Sequence, residues 1–239
     1  MQFKLNYPCL PLTVALSAST LAFAVPTAHA NGGHFLVDDA DITPPGECAM
    51  EIWGLRASAG APERVDQPSA SHVVVAQPMC GTNNGWEVAV PFEYSTSDSE
   101  LAAYGLELKT MLSHNLYGGA LALSFGVMRD HQANDYEGGF INLPYSYPVH
   151  DDLVLHINTG AEYNNFDDEW NATWGLATTF TVSDRLDLIA ETAGVGSDSP
   201  AAAFGFRTVL NNNFELDASF GRDFEVRSNI VSVGLNVAF

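Results

Sequence analysis

Twelve stretches of this sequence, each about ten residues long, alternate apolar and polar residues, and a short cluster of Gly, Asn, Asp, Ser or Pro separates each from the next. They are Glu47–Ala57, Ser71–Cys80, Trp86–Thr96, Leu101–Leu112, Tyr117–Arg129, Phe140–Val149, Leu153–Tyr163, Ala172–Val182, Leu186–Val195, Ala201–Leu210, Phe214–Arg222 and Asn229–Phe239. A period of two is the signature of a strand with one apolar and one wet face. None carries a convincing apolar stripe of period 3.6, so almost no helix is expected in the mature chain.

The charges constrain the fold further. One parity of these strands carries Val88, Phe92, Leu106, Leu108, Leu121, Leu123, Phe125, Leu155, Leu176, Phe204, Phe206 and Phe220. The other parity holds most of the ionisable residues: Glu51, Glu87, Glu93, Glu107, Lys109, His156, Glu162, Asp187, Glu191, Arg207, Glu215 and Asp217. A charge at mid-depth on a lipid-facing wall costs about 2–4 kcal/mol for Lys or Arg. Segregating the charges to one parity therefore predicts an apolar exterior and a polar lumen, with those twelve residues lining it. The expected fold is all-β, a transmembrane antiparallel up-and-down β-barrel of about twelve strands.

The connections alternate in the same phase. GTNN at 81–84, SHN at 113–115, HDD at 150–152, SDR at 183–185 and NNN at 211–213 are tight. Between them fall 58–70, 130–139, 164–171 and 223–228, which are longer and polar, and the shorter 97–100 and 196–199. Short periplasmic turns alternating with longer outer loops are a habit of outer-membrane barrels, which a soluble sandwich has no reason to keep. Aromatics near strand ends, such as Trp86, Tyr117 and Phe214 at one end and Tyr94, Tyr163 and Trp170 at the other, fit two interfacial belts. Pro144 and Pro148 predict a distorted sixth strand.

The first thirty residues read as a cleaved signal peptide. Lys4 precedes an apolar and small-residue run from Leu10 to Val25, and Ala28-His29-Ala30 fits a cleavage site. The domain plan is a signal peptide over 1–30, a periplasmic leader segment over 31–46 placed at the barrel mouth, and the barrel itself over 47–239. Pro44-Pro45 bars regular pairing in the leader. After cleavage Cys48 and Cys80 remain, at the same end of the first hairpin. In an exported protein an even pair reads as a disulfide. It would close a loop of about 33 residues, worth roughly 3–4 kcal/mol by the chain-entropy estimate.

The final strand, with Val231, Val233, Leu235, Val237 and Phe239 on alternate positions, resembles the assembly signal of bacterial outer-membrane β-barrels. That resemblance implies a bacterial outer-membrane location and two partners, the membrane lipid and the barrel-assembly machinery, with Phe239 as the recognised residue. The stretch His34-Phe-Leu-Val-Asp-Asp-Ala-Asp-Ile-Thr-Pro-Pro-Gly-Glu-Cys-Ala-Met-Glu-Ile-Trp53 resembles the opening of barrels grouped under "MetA-pathway of phenol degradation". Members of that group are described as outer-membrane transporters, so the resemblance implies transport.

Net charge is −20, from 29 acidic and 9 basic residues, which excludes a nucleic-acid partner because the chain would repel phosphates. Two readings of the lumen remain open: a water-filled, cation-leaning passage for a small solute, or a plugged structural or surface-interaction barrel. An outer-membrane lipid hydrolase is a third. Its Ser–His candidates are poor: Ser113-His114-Asn115 lies in a predicted periplasmic turn, and Ser71-His72 has no evident third member. The expectation is no enzyme and no catalytic residue. Asp130, His131 and Asp135 in one outer loop, and Asp167-Asp168-Glu169 in another, read as solvated acid, so no metal and no cofactor is expected.

Overall fold

The computed structural model describes residues 35–58, 71–96, 100–132, 134–165 and 168–239. The signal peptide and most of the 58–70 loop lie outside these residues. Among the described residues thirteen strand segments form one antiparallel sheet. They are β1 Cys48–Ala57, β2 Ser71–Gly81, β3 Trp86–Ala89, β4 Phe92–Ser95, β5 Glu100–Leu116, β6 Gly119–Asp130 and β7 Asp135–His150. The chain continues through β8 Leu153–Asn164, β9 Glu169–Ser183, β10 Leu186–Val195, β11 Ala201–Asn211, β12 Phe214–Asp223 and β13 Ser228–Ala238. Each pairs with its neighbours in sequence, except that β3 and β4 do not pair with each other and both lie between β2 and β5; β1 pairs with β13 from Ala49↔Ala238 to Ala57↔Ile230. The sheet is thereby closed. Because β3 and β4 are two pieces of one crossing, this is a twelve-stranded up-and-down barrel.

The break between β3 and β4 falls at Val90-Pro91, a different place from the expected distortion. Pro91 has no N–H to give to the ladder. The Val90 N–H donates to the Pro78 carbonyl at 3.0 Å, and the Pro91 carbonyl accepts from Gly105 N–H at 3.0 Å, so the strand kinks without losing its neighbours. β7, by contrast, continues through both its prolines. Its pairing with β6 passes from Leu121↔Tyr145 to Ser124↔Asn142 in one register, skipping the rungs at Pro144. A register irregularity at Pro148/His150 on the β8 side is the other mark.

The SHN turn at 113–115 is also displaced. β5 runs on to Leu116, and the reversal is Tyr117-Gly118, with φ of 52° and 93°. Positive φ at both central residues is the type I′ hairpin geometry, which matches strand twist and favours glycine. Asn115 supports the turn, its side-chain oxygen accepting from Gly118 N–H at 3.0 Å. On the other side of the barrel the strands outrun their expected ends. β6 reaches Asp130 and β7 starts at Asp135, which consumes much of the 130–139 loop.

Outside, the wall is apolar and bare. Phe204 is 58 % exposed and Phe220 59 %, with Leu106, Leu176, Val231 and Val233 similarly uncovered. An exterior of this kind is suited to lipid, as on a transmembrane barrel. Inside, the chain buries polar groups: Glu51, Glu87, Glu107, Lys109, Glu191 and Asp217 all lie at 8 % exposure or less.

Cys48 and Cys80 are direct cross-strand partners and form a disulfide, with Cα atoms 4.1 Å apart. Cys48 gives its N–H to the Phe239 carbonyl and takes the Phe239 N–H in return. The covalent staple thus sits where the first and last strands meet.

Candidate functional site

Residues 35–43, expected at the mouth, cross the lumen. They form a strap whose contacts run from Glu87 on β3 to Arg207 on β11. Phe35 is 3 % exposed, Val37 2 % and Ala40 0 %. The strap enters past Gly81, where an added Cβ would overlap the Thr43 and Pro44 carbonyl oxygens, so only glycine admits it.

A closed barrel has no free strand edge inside, so the strap's buried main-chain groups must be satisfied by side chains from the wall. They are. Glu87 accepts from Thr43 N–H at 2.6 Å and from its hydroxyl at 2.7 Å. Ser146 Oγ accepts from Ala40 N–H at 2.9 Å. Asn158 reads both sides of Asp38: its Oδ1 accepts the N–H at 2.7 Å, and its Nδ2 donates to the carbonyl at 2.7 Å. One oxygen of Glu191 accepts from Leu36 N–H at 2.7 Å and Val37 N–H at 3.1 Å.

Side chains of the strap are held as well. Lys109 Nζ lies 2.8 Å from Asp38 Oδ1 and 3.5 Å from Asp39, and Ser124 Oγ reaches the other Asp38 oxygen at 3.5 Å. Asp39 in turn holds the Asp41 carboxyl above the usual carboxylate range, because the two charges repel. The Arg207 guanidinium stands 5.6 Å from the Phe35 ring centroid. Val37 rests on a wall of small residues, with Ala177 and Ala193 in its cluster and Gly175 so close that an added Cβ would sit 3.0 Å from it.

The expected lumen residues fall into three groups. Glu87, Lys109, Glu191 and Arg207 touch the strap. A second group forms networks in the wall. Arg207 makes a two-pronged contact with Asp217 at 3.0 and 3.2 Å, Glu215 stands at 3.8 Å, and Asn236 donates to Asp217 at 2.9 Å. Gln77 donates to Glu107 at 3.3 Å. His156 bonds Ser146 at 2.9 Å through Nδ1 and Thr179 at 3.1 Å through Nε2. Glu51 is buried opposite Gln77 and Asn236 in register. Glu93, Glu162 and Asp187, each half-buried, make the third group, with Asp187 opposite Arg207 in register.

The neutral side chains Ser124, Asn142, Ser146, Asn158 and Thr179 escaped the sequence reading, which on these strands followed the ionisable residues. Their parity was the available signal, since Asn158 shares a face with His156 and Glu162. The Ser146–His156 contact is a Ser–His pair, but its histidine meets a Thr hydroxyl where a nucleophilic triad has an acid. Among the described residues no group of three or more His, Cys, Asp or Glu is arranged to hold a metal. Beside the strap a cavity of about 30 Å³ lies between Phe35, Asp39, His156, Thr179 and Arg207, room for about one water.

Comparison with solved structures places the fold. The KdgM porin superposes with a TM-score of 0.59 at 12 % identity, over 79 % of this chain and 99 % of that one. It is also known in complex with disordered oligogalacturonate. The NanC porin gives 0.59 at 9 % identity, over 79 % of this chain and 98 % of that one. The COG4313 outer membrane channel from Pseudomonas putida F1 gives 0.55 at 13 % identity, over 84 % and 98 %. At such identities the likeness is one of fold, that of the outer-membrane porins. No curated protein matches the chain. A family model does match, over residues 19–239, and the chain therefore belongs to the family described as "Uncharacterised conserved protein UCP029691".

Proposed function

We propose that the protein is a passive channel of the bacterial outer membrane for a small solute, with a lumen that favours cations. The observation that carries this reading is the polarity of the wall. Carboxylates of Glu51, Glu87, Glu107, Glu191 and Asp217 are held inside an apolar exterior, and inward-facing acids outnumber Lys109 and Arg207. Rings of carboxylate in a narrow, low-dielectric passage lower the barrier for cations and raise it for anions. The porins that share the fold support a channel, as does the resemblance of residues 34–53 to the "MetA-pathway of phenol degradation" barrels. The oligogalacturonate bound by one of those porins is a polyanion, and a carboxylate-rich wall disfavours such a solute here.

A second reading has its own observation. The strap lies across the lumen, which favours a closed, structural barrel unless the strap yields. Planar-bilayer recording separates the two. A channel gives discrete conductance steps and, in a KCl gradient, a reversal potential of the sign set by cation flow. Folded protein that passes neither ions nor solute, with the strap present and with it deleted, would overturn the channel reading.

A further inference from the structure

We propose that the lumen contains a binding site for an oligopeptide, and that residues 35–43 are its resident occupant. The wall reads main chain. Glu87, Ser146, Asn158 and Glu191 take the N–H groups of Thr43, Ala40, Asp38, Leu36 and Val37, and Asn158 also donates to the Asp38 carbonyl. A side-chain amide that pairs with both the N–H and the C=O of one residue recognises a peptide unit and no particular side chain. Five N–H groups satisfied from β3, β7, β8 and β10 are the contacts of a peptide site, assembled from side chains because a closed barrel offers no strand edge.

Selectivity is built around that frame. Small residues of the wall, Gly175, Ala177 and Ala193, leave a depression that Val37 fills. Gly205 gives Phe35 its place, since an added Cβ there would lie 3.1 Å from the ring. Lys109 and Ser124 take the carboxylate that follows. The ligand class is therefore a peptide with apolar residues at alternate positions and an aspartate directly after the second, the pattern of Phe35-Leu36-Val37-Asp38. One Glu191 oxygen without a hydrogen-bond partner is a spare acceptor that a peptide N–H or ammonium could also use. A peptide from outside that matches this pattern competes with the strap. That its entry would open the passage rests on the channel reading; the binding does not.

The test uses the barrel lacking residues 35–43, refolded in detergent and checked by far-UV circular dichroism. A synthetic peptide of residues 35–43 is titrated calorimetrically. The expected result is saturable binding of one peptide per barrel. The Asp38→Asn peptide should bind on the order of 10- to 100-fold more weakly, the usual loss for a hydrogen bond to a charged group. Lys109→Met in the barrel should weaken the native peptide similarly and remove most of the difference between the two peptides. Absence of saturable binding to folded barrel, or equal binding of both peptides, overturns the proposal.

Should the deletion prevent folding, a full-length chain with a protease site replacing the exposed Pro44-Pro45-Gly46 serves instead. After cutting, the fragment should stay with the wild-type barrel through gel filtration and leave the Lys109→Met barrel. Loss from both, or retention by both, overturns the site. Conductance is recorded on the same preparations. Binding without conductance would leave the site standing and sink the channel; conductance without binding would do the reverse.

Discussion

Lys109 shows how one side chain can decide the state of the lumen. It is buried among Asp38, Asp39 and Glu87, and its ammonium lies 2.8 Å from the Asp38 carboxylate and 3.5 Å from that of Asp39. Breaking a buried pair by removing one partner leaves the other charge uncompensated, at a cost of about 3–5 kcal/mol. Lys109→Met should therefore loosen the strap and leave the barrel standing. Limited proteolysis is expected to cut between residues 35 and 46 much faster in the variant, with the heat-modifiable mobility of the barrel unchanged. Asp217 is the contrasting case. It is fully buried in the wall and holds Arg207 with two hydrogen bonds, so Asp217→Ala takes both from the guanidinium and leaves it the longer contact to Glu215 at 3.8 Å. The penalty there, again about 3–5 kcal/mol, should fall on the barrel itself and lower its urea midpoint.

Among the elements, the first hairpin and the strap belong together. The Cys48–Cys80 bond fixes the point from which the strap turns inward: two residues before Cys48, the Gly46 N–H donates to the Gly81 carbonyl at 2.8 Å, and the Glu47 carbonyl accepts from the Gly81 N–H at 3.0 Å. Under denaturing, non-reducing conditions the mature chain should show no free thiol at these positions. Reduction should lower stability by about 3–4 kcal/mol, read from urea midpoints with and without reductant. At this scale the sequence was legible where periodicity and turn chemistry agreed. β10 begins and ends at Leu186 and Val195 as expected, and β2, β8, β11 and β12 differ from expectation by one residue at one end. It was misleading where two signals competed. Ser113-His114-Asn115 has turn composition, but Gly118 takes positive φ more cheaply, so the reversal moved to Tyr117-Gly118 and the polar residues became its support. Pro144 looked like the break, yet it faces inward in a long strand whose neighbours keep register across the missing rungs. The break came at Pro91, between segments of only four residues each.

For the whole molecule, the proposed channel turns the position of the strap into an electrical prediction. With residues 35–43 lodged across the lumen, the intact chain should conduct weakly or in rare openings. Deleting them should raise the open-channel current several-fold and keep cation preference, because Glu51, Glu107 and Asp217 remain in the wall. Neutralising Glu51 and Glu107 together in the deletion background should move the reversal potential toward zero.

The period-two pattern, the segregation of charge by parity and the phase of the turns were enough to determine a closed antiparallel barrel with a polar interior. Each is local, and the geometry of a pleated strand converts them directly into faces and ends. What occupies the interior was decided only by the tertiary structure. Phe35 to Thr43 show no period, because a strap without strand partners has no pleat to impose one; its wall partners lie between 44 and 172 residues away in sequence, on β3, β5, β6, β7, β8, β10 and β11. Only closure of the barrel brings those side chains around one peptide, and only then does an unpatterned leader become the ligand of the lumen it precedes.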